Sequence, residues 1–118
     1  MRLSEIIAHC DMLKPNTYSF SQKKNWIMNI ESDIRDYCTL YSHQKSDKKF
    51  LNEENPDLIL DECKEDIYLY YLISMIDLSN QEYSHYNNSV SFFNSIYSDW
   101  KKEYRRAHCP ECDIVIKV

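Results

Sequence analysis

The 118-residue chain contains no glycine. Glycine takes left-handed backbone conformations at little steric cost, so its absence disfavours tight two-residue hairpins and removes the Gly-rich loops that cradle phosphates. Corners must then be made by Asn, Ser and the three prolines, which favours helices joined by short polar turns. No run reaches the ~18 apolar residues of a membrane span, and the N-terminus lacks the layout of a secretory signal. The expected setting is a reducing cytoplasm, where the five cysteines are thiols and not a disulfide framework. A formal net charge of −5 argues against a surface built as a whole to hold nucleic-acid phosphates. No nucleophile is paired with a base and no carboxylate pair has catalytic context, so neither an enzyme nor a cofactor is expected.

What is present is an aromatic ladder. Tyr83, Tyr86, Val90, Phe93, Tyr97, Trp100 and Tyr104 alternate at spacings of three and four between Glu82 and His108. Residues three and four apart are neighbours on a helix, so the spacing predicts one long amphipathic helix, with Phe92 and Ile96 widening its stripe. At ~1.5 Å per residue it would be roughly 40 Å long, more than one small domain is expected to cover. Ten Tyr and two Trp also exceed what a modest core needs. Both residue types favour interfaces, where one end of the ring is dry and the other finds a hydrogen bond. Tyr83, Tyr86, Tyr97, Trp100 and Tyr104 are therefore the candidate interface residues. A coiled coil fits less well, because the flanks of the stripe carry little charge.

Helical spacing extends upstream. Ser4 is a candidate cap for a first helix to about Leu13, with Ile6, Ile7, Cys10 and Leu13 inward, and Lys14-Pro15-Asn16 ends it. Ser19, with Gln22 three residues later, caps a second helix to about Tyr41, whose inner side is Trp26, Ile27, Ile30, Ile34, Tyr37, Cys38 and Tyr41. Residues 42–60 form an exposed polar loop. A third helix, about Lys64 to Ser79, carries Ile67, Tyr68, Tyr70, Tyr71, Leu72, Met75, Ile76 and Leu78 and should be the most buried. Ser79-Asn80-Gln81 allows either a turn or a kink into the last helix, and a tight break is the expectation. The fold class is an all-α bundle of about four helices, one domain over residues 1–108. The β-branched segment Ile114, Val115, Ile116 and Val118 lies in an extended tail, residues 109–118, suited to strand addition on a partner.

Other motifs weigh less. Cys109-Pro110-Glu111-Cys112 follows His108 and supplies half of a zinc site or a redox pair. Zinc needs four ligands, and no second CxxC or HxxxH exists; His9-Cys10 would serve only if the tail folded back or came from a neighbour. A redox thiol is favoured at a helix N-terminus, whereas this motif follows a helix. Cys109, Cys112 and His108 are thus a weak zinc candidate, and no metal is expected. Lys101, Lys102, Arg105 and Arg106 suit the C-terminal end of a helix dipole; they also allow an alternative, a small helical DNA-binding or antitoxin-like regulator. Asp61, Glu62, Glu65 and Asp66 suit the start of the third helix, and His85 belongs to the polar side of the last.

A resemblance covers most of the chain. Leu13-Lys14-Pro15-Asn16, Tyr18-Ser19, Lys24 and Trp26, then Asp66-Ile67-Tyr68-Leu69-Tyr70-Tyr71-Leu72, Ile76-Asp77, Asn80, Glu82-Tyr83, Tyr86-Asn87-Asn88-Ser89, Phe93-Asn94, Tyr97 and Tyr104-Arg105-Arg106-Ala107-His108 resemble the head–tail connector, or head-completion adaptor, proteins of tailed phages and prophages of Firmicutes. That family tends to have Gly where Gln81 stands and Met where Cys109 stands. The resemblance implies a virion structural protein made in the host cytoplasm, without catalysis. It would form a dodecameric ring under the portal protein, around the channel through which DNA passes, and join the capsid to a downstream neck or tail-completion protein. No membrane contact is implied. An acidic ring would keep DNA from adhering to the channel wall, and Ile114 to Val118 would strap the subunit to the portal or the next ring.

Overall fold

The computed structural model describes residues 2–42, 58–60 and 62–108. These form an all-α bundle of four α-helices: α1 (Leu3–Leu13), α2 (Phe20–Ser42), α3 (Glu65–Ser79), entered through a 3-10 turn at Glu62–Lys64, and α4 (Tyr83–His108). Among the described residues, no helix is long and apolar enough to cross a membrane. The polar segment 43–57 and the tail 109–118 lie outside the described residues, so the expectations for them do too.

The cap of helix α1 lies two residues before the predicted Ser4. Arg2 is the cap, and its backbone N–H faces Glu5 Oε2 at 3.4 Å, which brings Leu3 fully into the core. The buried stripe runs Leu3, Ile6, Ile7 and Cys10, and the half-buried cap residue Lys14 continues its line, four residues on. Leu13, expected inside, is exposed, as is Met12 at 82 %. The 3.6-residue period explains this, since Lys14 and not Leu13 continues the stripe. Helix α2 begins as predicted, with Ser19 Oγ accepting from Gln22 N at 3.2 Å. Ile27, Ile30 and Ile34 are buried; Trp26, Tyr37 and Cys38 pack half-buried around them.

Helix α3 is central and touches the three other helices. Ile67, Tyr68, Leu69, Leu72 and Ile76 are buried on it, and each aliphatic side chain so enclosed contributes about 1.5–3 kcal/mol. Leu78, expected in the core, is exposed in the last turn, where Asp77 takes the inner position. Helices α3 and α4 form an antiparallel hairpin with Tyr70 on Phe92 and Tyr71 on Phe93, ring centroids 4.5 and 5.3 Å apart. Beyond the start of α3, the C-terminal half of α2 takes over as the cover for α4. Tyr37 packs on Trp100 and Tyr104, its hydroxyl donates to the Lys101 carbonyl at 2.9 Å, and the Tyr104 hydroxyl faces the Cys38 carbonyl at 3.4 Å. The long helix is therefore covered within its own subunit further along than its length suggests.

Candidate interaction surface

The corner between α3 and α4 closes without glycine. Gln81 adopts φ 61°, a left-handed conformation, and is the one described non-glycine residue to do so. Gln81 N donates to Leu78 O at 3.0 Å and Glu82 N to Asp77 O at 2.9 Å, the paired bonds of a Schellman C-cap. That motif is usually sealed by an apolar contact across its ends. Here the ends are carboxylates, Asp77 and Glu82, and the Lys14 ammonium at the end of α1 pairs with both, reaching Glu82 Oε2 at 2.8 Å. Burial alone would lower the lysine pKa; its hydrogen bonds to Asp77 and Glu82, with their charges, outweigh that and raise it. Asp77 is buried and also accepts from Ser89 Oγ on α4 at 2.6 Å. Tyr18 donates to Asn80 Oδ1 at 2.7 Å, and Asn16 turns the preceding loop by accepting from Tyr18 N and donating to Asp11. Asp11 is paired in turn with the buried Lys23 at 2.8 Å.

This polar knot contains Asp77, Glu82 and His85, whose ligand-type atoms lie within 4.8 Å of one another. The Lys14 ammonium already supplies the positive charge that two carboxylates there require, so the cluster is an ion-paired joint between α1 and the α3–α4 corner. His85 itself is exposed, with Nδ1 3.8 Å from Glu82 Oε2.

A second network sits at the other end of α3. Glu31, fully buried on α2, accepts from the Tyr68 hydroxyl at 2.6 Å and from Ile59 N at 2.9 Å, while Tyr68 accepts from Leu60 N at 3.2 Å. Burial raises the Glu31 pKa, against the pull of these bonds and of the Arg35 charge. The bonds hold Leu58 and Leu60 in the core, which corrects the expectation that residues 42–60 are exposed throughout. Sequence reading passed over Glu31 and Asp77 because apolar periodicity assigns carboxylates to the surface. The signal was the position of Glu31, on the same helical stripe as Ile27 and Ile34.

Among the described residues, the outward side of α4 is a surface left for a partner. From Tyr83 to Ser98 the helix has no Asp, Glu, Lys or Arg, in a chain where 28 % of residues are charged. Ser84, Asn88, Ser91, Ser95 and Ser98 follow one another at helical spacing on its exposed side, flanked by Phe92 and Tyr83, 51 % and 59 % exposed. Exposed helices ordinarily carry charge, and loss of charge together with exposed aromatics marks contact surfaces. Tyr with Ser and Asn also combines rigid apolar area with adaptable hydrogen bonding.

The predicted interface residues divide accordingly. Tyr83 is exposed and Tyr86 half-buried, on or beside this face. Tyr97 and Trp100 are only 8 % and 6 % exposed, stacked on each other at 5.8 Å in the core, so their assignment to a subunit interface is corrected. Tyr104 is half-buried against α2. Ile114, Val115, Ile116, Val118, Cys109 and Cys112 lie outside the described residues. Of the basic group, Lys101 rests over the Tyr97 ring at 4.3 Å, whereas Lys102, Arg105 and Arg106 are exposed. At the start of α3, Glu65 is bonded to His9 at 2.6 Å and Asp66 is exposed. No protein-family model, curated protein or solved structure matches the chain.

Proposed function

We propose that the chain is a structural subunit that works by assembly: a head–tail connector adaptor of a tailed phage. It would form a ring under the portal protein, around the DNA channel, and join the capsid to a downstream neck protein. The observation that carries this reading is the outward face of α4, a long helical surface with exposed aromatics and no charge. For a chain of net charge −5, such a face is where copies approach with least mutual repulsion. The knot at the α3–α4 corner adds support. Lys14, Asn16, Tyr18, Asp77, Asn80, Glu82 and Ser89, all among the residues that carry the family resemblance, are joined there by hydrogen bonds although 75 positions separate the first from the last. Residues 114–118 are the proposed strap to the portal or the next ring.

The test is co-expression with a tailed-phage portal protein. A ring complex is expected to co-purify. Ser91→Glu with Ser95→Glu on the outward face is expected to abolish the ring while leaving the helical circular dichroism unchanged. No portal association, together with DNA binding that weakens steeply with salt, would replace this reading with the regulator based on Lys102, Arg105 and Arg106.

A further inference from the structure

Charge on α4 is sorted by side as well as by position. Its six Asp, Glu, Lys and Arg residues all fall in the last turns, from Asp99 to Arg106. Asp99 and Glu103, four apart, share the flank that meets α3. Glu103 pairs with Lys64 at 3.1 Å, and both acids line a cleft of about 250 Å³ with Asp66, Ile67, Ile96 and Trp100. Asp66 comes from the first turn of α3, so carboxylates from two helices rim a floor in which Ile67 and Trp100 are buried. The other flank is basic. Lys101 turns toward α2, 5.5 Å from the centre of the Tyr37 ring, and shares a second cleft with Asp33 and Asp36. Lys102 and Arg105 are exposed and continue the outward line of Ser91, Ser95 and Ser98 at helical spacing. Among the described residues, Asp66, Asp99, Lys102 and Arg105 make no ion pair. One subunit therefore presents an acidic seam and a basic line side by side on the same helix.

We propose that copies of this chain associate head to tail: the outward side of α4 in one copy lies along the α3–α4 seam of the next, with Lys102 and Arg105 set against Asp66 and Asp99. A second copy is the occupant that matches both surfaces at once, because each subunit carries one of each sign. Such a contact joins unlike patches and therefore repeats, closing a ring where the rotation per copy closes and growing a filament where it does not. The uncharged run from Tyr83 to Ser98 lies on the same helix just before the basic pair. Along the seam it would meet Phe92, 51 % exposed and packed on Tyr70 with ring centroids 4.5 Å apart. Neutral and apolar area comes together there without stripping water from charge, while the ions at the end of the helix steer the approach and fix the register. Two outward faces packed on each other would instead form a closed two-fold pair and leave the acidic seam uncovered. The inference deepens the adaptor reading and rests on its premise that copies of the chain assemble, but not on the portal.

Sedimentation of the full-length chain at about 1 mM, a concentration that reveals weak contacts, is expected to show species larger than a dimer at low salt. Raising the salt from about 0.01 M to about 1 M shortens the screening length from about 30 Å to about 3 Å and is expected to weaken association about 10-fold or more. Asp66→Lys with Asp99→Lys, and separately Lys102→Glu with Arg105→Glu, are each expected to weaken it by about the same factor with helical circular dichroism unchanged. An equimolar mixture of the two variants is expected to associate again, since each keeps the surface that the other has lost. The parent's net charge is −5 and neither pair of substitutions reverses its sign, so recovery in the mixture reports the local contact. A parent that stays monomeric or stops at a dimer, a mixture that stays apart, or a variant that assembles like the parent would overturn the proposal. Ring formation with a tailed-phage portal protein by both variants would remove this contact and leave the adaptor reading standing. Head-to-tail association without portal affinity would do the reverse.

Discussion

Replacing Gln81 with glycine should make this protein more stable, and the size of the gain follows from one dihedral angle. Gln81 sits at φ 61°, where the Cβ of an L-residue crowds the following carbonyl at a cost of roughly 1–2 kcal/mol. Glycine has no Cβ and escapes that cost. It also widens the unfolded ensemble, which returns about 0.4–1 kcal/mol. The net gain for Gln81→Gly is about 0.5–1 kcal/mol, or a rise in Tm of roughly 2–8 °C for a domain of this size. Urea denaturation followed by circular dichroism measures it. Gln81→Ala keeps the Cβ and should leave the midpoint near that of the parent. Gln81→Asn, whose side chain tolerates the left-handed region, should fall between. Gln81→Pro should prevent proper closure, because proline fixes φ near −65° and removes the N–H that donates to Leu78 O. If alanine stabilises as much as glycine, backbone strain at this corner is not the cause and the reasoning is refuted.

Three further outcomes are expected. Tyr68→Phe removes the donor to Glu31 and the acceptor for Leu60 N; leaving both buried groups unmatched should cost about 2–4 kcal/mol, against less than about 1 kcal/mol for Tyr18→Phe, whose bond to Asn80 is exposed. Lys14→Met strands the buried Asp77 with Ser89 alone and should cost about 3 kcal/mol; urea midpoints for Lys14→Met and Asp77→Asn measured singly and together should then be far from additive. Stability should also fall on the alkaline side of about pH 10. Burial, joined by the nearby carboxylates Glu31 and Asp33, raises the Tyr68 and Tyr97 phenols above their ordinary range. The folded chain then holds protons that the unfolded chain releases, so the stability is present below about pH 10 and lost as pH rises through the folded values. A urea midpoint unchanged between about pH 9 and about pH 11 would contradict this.

Helical periodicity was enough to reveal the class of fold, the Ser19 cap and the break near Asn80, because each depends on local backbone preference. It was a poorer guide to which side chains stay at the surface. Tyr97 and Trp100 looked spare on a helix longer than one small domain is expected to cover. They are enclosed because α2 reaches past the start of α3 and lays Tyr37 and Cys38 over them, a tertiary fact with no local trace. Leu13 and Leu78 were misplaced for a related reason: the inward positions at those two helix ends belong to Lys14 and Asp77, a pair recognisable only once α1 and α3 lie side by side. The outward face of α4 was visible in the spelling of residues 83–98, as an absence of charge and not as a motif.

The Glu31–Tyr68 network has a consequence for how such a chain can vary. Leu58 to Leu60 are fastened to α2 and α3 on their own account, whatever the number of residues between Ser42 and Leu58. Doubling that number would cost only about 0.6 kcal/mol in loop-closure entropy. An insertion there is expected to leave every helix in register.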